Sequence, residues 1–132
     1  MNLSKFIGIP YKHLGRDFSG LDCYGLIWLA YKEILNIELP DYTDLLYKQD
    51  WYKHKDNHIL NNISWVKKVE YPFNKFDGIL IYNGSNEIVN HIALYIGDNK
   101  ILHIFEGVTS RIDRFDGYWK SKTHSGMRFL ND

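Results

Sequence analysis

Apolar positions recur along the chain with two periods, and the change between them divides it. Ile27, Ala30, Tyr31, Ile34 and Leu35 fall at three- and four-residue steps, a buried helical stripe that Leu26 and Leu29 widen. Asp22 stands where an N-cap belongs and Pro40 lies beyond the last periodic residue, so a helix is predicted over about 23–36. Before it, Gly8, Pro10, Gly15 and Gly20 punctuate residues 1–21 too often for a long regular element, leaving an irregular entry segment. After it, Thr43 can cap a polar, partly exposed helix that carries Leu45, Leu46, Gln49 and Tyr52 and ends near Asn57.

From residue 63 the period falls to two. Residues 63–69 read as a strand, Pro72 interrupts, and 78–82 form a short, almost continuous apolar strand ended by Asn83-Gly84-Ser85-Asn86. Two further strands, 89–96 and 100–105, are joined by Gly97-Asp98-Asn99, a strong hairpin signal. Residues 111–115 and 126–130 are expected as edge strands. Helices first and strands second, with short strand connections, predict an α+β fold: N-terminal helices packed on one side of a C-terminal antiparallel sheet. No composition break marks a linker, so residues 1–132 are read as a single domain.

Composition narrows the function. With 132 residues, 45% of them hydrophobic, the chain can fill a core unaided. Sixteen basic residues against sixteen acidic ones give no net charge, which weighs against nucleic acid as a partner. No run of eighteen apolar residues is present to span a membrane. The first twenty residues also lack the apolar block of a signal peptide. The single cysteine, Cys23, excludes an internal disulfide framework.

A lone cysteine is often a small buried hydrophobe. Cys23 instead falls in the first turn of the predicted helix, where unpaired N–H groups and the helix dipole favour a thiolate. Gly20 and Gly25 flank it and would let a substrate chain approach the sulfur. A nucleophilic thiol needs a base, and six histidines are available. His54 and His58 are four apart, a spacing that can bind metal on a helix, but they lie among charges and the remaining ligands are not evident. His124 reads as a loop residue. His91 and His103 differ, since each is flanked by Ile or Leu in an apolar strand and must satisfy its ring nitrogens there. On neighbouring strands of one hairpin they form a plausible relay, with His91 as base to the thiol and His103 orienting it. Register provides the test. A plain two-residue loop puts the two rings on opposite faces, whereas a three-residue loop or an equivalent bulge puts them on one.

Gly8-Ile9-Pro10-Tyr11, then Gly20-Leu21-Asp22-Cys23-Tyr24-Gly25-Leu26, then His91-Ile92-Ala93-Leu94-Tyr95-Ile96-Gly97 followed by His103, resemble the NlpC/P60 family of papain-like cysteine peptidases. The likeness runs from about residue 8 to residue 107, with a fainter trace to Arg128. It implies a papain-like core with Cys23 as nucleophile, His91 as general base and His103 as the orienting third residue, and no metal or organic cofactor. It also implies hydrolysis of peptidoglycan stem peptides, commonly between D-glutamate and a diamino acid. Three substrate-binding positions follow from the same pattern. Tyr11 matches a tyrosine lining the site, or is an ordinary packed aromatic. Asp22 matches an acidic residue that recognises the stem peptide's free amine, or is simply the helix cap. Tyr24 stands where many cell-wall members have serine. With Leu39-Pro40-Asp41-Tyr42, that aromatic looks more like the phage-tail-associated branch.

The expected function is therefore a cysteine peptidase acting on cell-wall peptides as a phage or prophage tail-associated protein. Stem peptide and phage tail proteins are its expected partners, and the particle or the bacterial cytoplasm before delivery its location. Two alternatives stand beside it: a non-catalytic tail component that keeps the fold for assembly or wall binding, and a papain-like amidase or acyltransferase on another substrate. The aromatic-rich stretch 42–65 is compatible with a binding rim, a dimer surface or a covering helix.

Overall fold

A computed structural model describes residues 2–40, 66–84 and 89–129. The expected helix near 43–57, the stretch 42–65, and His54 and His58 lie outside the described residues.

The entry segment is more ordered than its glycines suggest. After a 3-10 turn at Ser4–Phe6, strands β1 (Arg16–Asp17) and β2 (Gly20–Leu21) form a tight antiparallel ribbon, and Tyr11 adds a parallel bridge to Leu21. Ser110 ties the segment to the far end of the chain. Its hydroxyl donates to the Phe6 carbonyl and accepts from the Ile9 N–H, at 2.5 and 2.9 Å.

Helix α1 (Cys23–Ala30) follows directly and runs into a single π-helical stretch, Tyr31–Leu35. Every residue from Tyr24 to Tyr31 is buried, as the wide apolar stripe requires. The helix stops at Asn36, which takes the left-handed conformation (φ 56°) that asparagine tolerates at such an end. The following residues fold back along it. The Tyr24 hydroxyl donates to the Pro40 carbonyl at 2.6 Å, and the Trp28 indole donates to that of Leu39 at 2.8 Å.

The strands β3 (Val66–Val69), β4 (Gly78–Ile81), β5 (His91–Gly97), β6 (Lys100–His103), β7 (Arg111–Arg114) and β8 (Thr123–Phe129) build one antiparallel sheet, ordered β3-β8-β4-β5-β6-β7. The fold is α+β, as the segregated periods imply. The edge strand expected at 111–115 is β7 (Arg111–Arg114), but the expectation for 126–130 is corrected: β8 is longer and sits between β3 and β4. It is buried there because Gly126 leaves room for Phe73, whose Cε1 would lie 2.4 Å from an added Cβ. His124 is correspondingly a strand residue rather than a loop residue, its Nδ1 2.7 Å from the Ser125 hydroxyl.

Alternation along the strands splits the core in two. Leu80, Ile92, Leu94 and Leu102 pack against α1. Ile79, Ile81, Ala93 and Ile101 face the other way, joining Phe73 and Phe115 and flanked by Trp119 of the short helix α2 (Gly117–Ser121). Each such fully buried aliphatic side chain contributes about 1.5–3 kcal/mol of transfer free energy.

The glycines near Cys23 serve the protein's own packing. A Cβ on Gly25 would lie 2.1 Å from the Gly15 carbonyl oxygen, and one on Gly20 would lie 2.6 Å from Lys12 Cβ. The space the sequence reading gave to a substrate chain is filled by the entry segment. Alanine at an ordinary helix glycine gains about 1 kcal/mol. Gly25→Ala is expected to do the reverse, destabilising by about 1–3 kcal/mol as the ribbon is pushed off α1. Denaturant unfolding of the two proteins reads the sign.

Candidate active site

Asp22 fixes where Cys23 sits. Its carboxylate is buried and caps α1 by accepting the Gly25 N–H at 2.7 Å. The same group accepts the Leu14 N–H at 3.0 Å and pairs with Arg16 Nη1 at 2.8 Å. Entry loop, ribbon and helix thus meet on one side chain. Residues 10–12 run beside this point, with the Leu21 N–H donating to the Pro10 carbonyl and the Lys12 N–H to that of Leu21. That pairing holds half-buried Tyr11 near the start of α1. Tyr24 is buried with its hydroxyl committed to Pro40, and the Arg16 guanidinium lies 5.4 Å from its ring centroid.

Cys23 is a free, half-buried thiol. The backbone N–H groups of Ile92 and Tyr24 favour its charged form, as the helix-start position anticipates, and so does Arg16. Desolvation opposes them and wins, helped by the Asp22 charge, and the thiol is pushed up to about 12. The resting sulfur is therefore protonated near neutral pH. The sequence-level expectation of a favoured thiolate is corrected on this point: burial outweighs the helix terminus.

The register of the β5–β6 hairpin decides where the histidines point. Leu94 pairs with Leu102 and Tyr95 with Ile101, whereas Gly97 pairs with Lys100 across a two-residue turn. The turn residues Asp98 and Asn99 both have positive φ, and Gly97 (φ 87°) absorbs the one-residue shift. Without that bulge the rings would face apart. With it they share a face, and His91 Nε2 lies 2.9 Å from His103 Nδ1. Both residues are 1% exposed.

The hydrogen-bonded chain continues beyond the residues that the sequence singles out. His103 Nε2 lies 2.7 Å from Asp113 Oδ2, which also accepts from Arg111 Nε at 2.9 Å. Trp119 and Phe105 enclose the rings, the Trp119 centroid lying 4.7 Å from that of His103 and 5.9 Å from that of His91. Sequence reasoning missed Asp113 because Arg111-Ile112-Asp113-Arg114 reads as a solvated edge. Its signal was the alternation that puts 111 and 113 on one face, but pairing with β6 had to be known first.

Burial depresses His91 well below 6.5, with the charge of His103 acting in the same direction. It also lowers His103, against the hydrogen bond and charge of Asp113. At Asp113 burial raises the carboxyl, but His103 and Arg111 outweigh it and the net shift is downward. Neutral imidazoles and an ionised carboxylate follow near neutral pH. His91 Nδ1 is buried with no hydrogen-bond partner among the described residues. Cys23 lies at the N-terminal end of α1, against the backbone N–H of the residue that follows His91, and no hydrogen bond joins its sulfur to either ring. Among the described residues no cluster of three His, Cys, Asp or Glu side chains is suited to hold a metal ion.

The family model described as NlpC/P60 family matches residues 8–128. The chain belongs to the NlpC/P60 family. It is 33% identical over 132 residues to the tail tip assembly protein K of Escherichia phage lambda, covering 96% of this chain and 63% of that protein. It is 27% identical over 133 residues to the probable endopeptidase YafL of Escherichia coli K12, covering 98% and 48%. The chain therefore spans roughly half to two thirds of the length of these relatives. The NlpC/p60 domain of the peptidoglycan hydrolase SagA shares the fold, with TM-score 0.61, 18% identity and coverage of 96% and 92%. No helix among the described residues is long and apolar enough to cross a membrane.

Because the folded protein holds His91 and His103 below the ordinary 6.5, acid should destabilise it. Unfolded histidines take up protons first as pH falls, so this stability is fully present above about pH 6.5. It is lost progressively as pH falls towards the depressed values of the fold. The melting temperature is expected to drop between pH 7.5 and 5, and less steeply in His91→Gln. A flat profile in the parent protein contradicts the neutral pair.

Proposed function

We propose that this NlpC/P60 chain is a cysteine peptidase that hydrolyses peptide bonds in peptidoglycan stem peptides, acting as part of a phage or prophage tail. One observation carries the reading. A lone cysteine begins a helix against the strand of a buried His–His–Asp chain, whose terminal nitrogen, His91 Nδ1, has no hydrogen-bond partner among the described residues. A buried ring nitrogen that no side chain or backbone group engages among the described residues is available to a proton donor. Relatives named tail tip assembly protein and probable endopeptidase support the context and the reaction class, and tail proteins are the partners we assign.

In this reading Cys23 is the nucleophile, His91 the general base and His103 the residue that orients it. The raised thiol and the depressed imidazole both favour a neutral thiol–imidazole pair at rest. Sulfur attacks the scissile carbonyl as its proton passes to His91 Nδ1, a contact completed when substrate is bound. The oxyanion is met by backbone N–H groups at the start of α1. His91 then protonates the leaving amine, and water releases the acyl group from sulfur. Tyr11 lines the site beside the nucleophile. Tyr24 shapes it from within through packing. We assign Asp22 to the cap and ion pair that present Cys23, since its oxygens already serve Gly25, Leu14 and Arg16.

Mass analysis of peptidoglycan fragments after incubation with the purified protein tests the proposal. Stem-peptide cleavage is expected from the parent chain and should vanish in Cys23→Ala with the melting temperature retained. His91→Ala should lower turnover by about 10²–10⁴-fold. Cleavage that persists without the thiol, or no cleavage by the parent chain, refutes the assignment.

A further inference from the structure

The hydrogen bonds behind His91 have a direction, and the edge of the sheet sets it. Asp113, ionised beside Arg111, can only accept, so the proton on the shared bond belongs to His103 Nε2. A neutral His103 that donates from Nε2 has a bare Nδ1. That nitrogen lies 2.9 Å from His91 Nε2 and must accept from it. A neutral His91 that donates from Nε2 in turn has a bare Nδ1, which is the buried atom left without a partner among the described residues. One carboxylate therefore determines both tautomers.

We propose that Asp113 is a positioning residue that polarises the chain Asp113–His103–His91, so that His91 keeps a bare Nδ1, the proton acceptor that the peptidase reading requires. This rests on the peptidase reading for its purpose but not for its test. Reversing either tautomer would place a hydrogen on His91 Nδ1, leaving a donor where a base is required. Arg111 contributes by holding the carboxylate oxygen that His103 uses, its guanidinium lying 5.5 Å from the Phe105 ring centroid. Trp119 and Phe105 close the rings off from water that could compete for the same protons.

Nitrogen-15 spectra of histidine-labelled protein near neutral pH read the tautomers without any substrate. Both His91 and His103 are expected to carry hydrogen on Nε2 and none on Nδ1. In Asp113→Ala, a half-exposed edge position, the two ring nitrogens of His103 should move towards averaged shifts, and those of His91 should follow. Hydrogen on Nδ1 of either ring in the parent protein overturns the proposal, and so do unchanged tautomers in the variant. The parent spectrum decides even if the variant fails to fold. On stem peptides, kcat should fall in Asp113→Ala on the order of 10²-fold with KM little changed. Full kcat in the variant overturns the positioning role. A parent chain that cleaves nothing leaves the tautomer reading intact and refutes only the peptidase assignment.

Discussion

The one-residue shift at Gly97 is the constraint on which the site depends. Side chains alternate across a strand, so a slip of one position exchanges every neighbour on the face. Beyond the bulge, odd-numbered residues of β5 and β6 lie together, and β7 continues the arrangement with Arg111 and Asp113. Two buried imidazoles can then satisfy each other, and the second can reach a carboxylate at the sheet edge. With the rings on opposite faces, each would be buried with unpaired nitrogens, at a cost of a few kcal/mol apiece. Left-handed backbone at Asp98 and Asn99 and the glycine at 97 make the shift possible, so local turn chemistry selects the long-range pairing.

A second hub organises the start of α1, where Cys23 sits. Asp22 performs three tasks with one carboxylate: it caps α1, receives the Leu14 N–H and neutralises Arg16. Its charge also raises the Cys23 thiol, which works against the helix terminus it caps. The two effects come from one position and cannot be separated by moving the acid. Buried ion pairs often add little net stability, but removing one partner is costly because the other charge is left unpaired. The entry ribbon is thereby locked to the helix start, and it fills the space beside Gly25 that the sequence alone left empty.

The strong periods were legible in the sequence: the helix from 23, the sheet after 63, the hairpin at 97–99 and the need for an odd register all follow from residue type and spacing. Pro40 marks the end of the helix in the sequence, but Asn36 stops it in a left-handed conformation before that proline is reached. Central β8 was less legible because His124, Ser125 and Gly126 carry little strand propensity, and Phe73 supplies the missing packing from elsewhere in the chain. The ribbon at Arg16–Leu21 was illegible for a similar reason, being held by Asp22 and α1 rather than by its own residues. Cys23, His91 and His103 announced themselves through odd placement, a thiol at a helix start and imidazoles among aliphatics. Asp113 did not, because a charged residue on an exposed strand looks ordinary until its partner is known.

Burial acts in opposite senses on the two proposed reactants, and this shapes the chemistry open to them. Desolvation raises the thiol and lowers the imidazole, so it disfavours the ion pair twice. A site built this way holds no reactive thiolate at rest. In the proposed reaction charge is created during attack, when backbone donors would meet the developing oxyanion and an imidazolium on His91 would have His103 and Asp113 behind it. The Asp113 carboxylate is the only ionised group in that chain, and it stands at the rim of the sheet with His103 between it and His91. Its negative charge can stabilise an imidazolium through the intervening His103 without lying close enough to raise the thiol further. A carboxylate bonded directly to His91 would favour protonation of the base before substrate arrives. An interposed neutral imidazole leaves His91 unprotonated at rest and, in the proposed reaction, would still provide a compensating charge once the proton has moved.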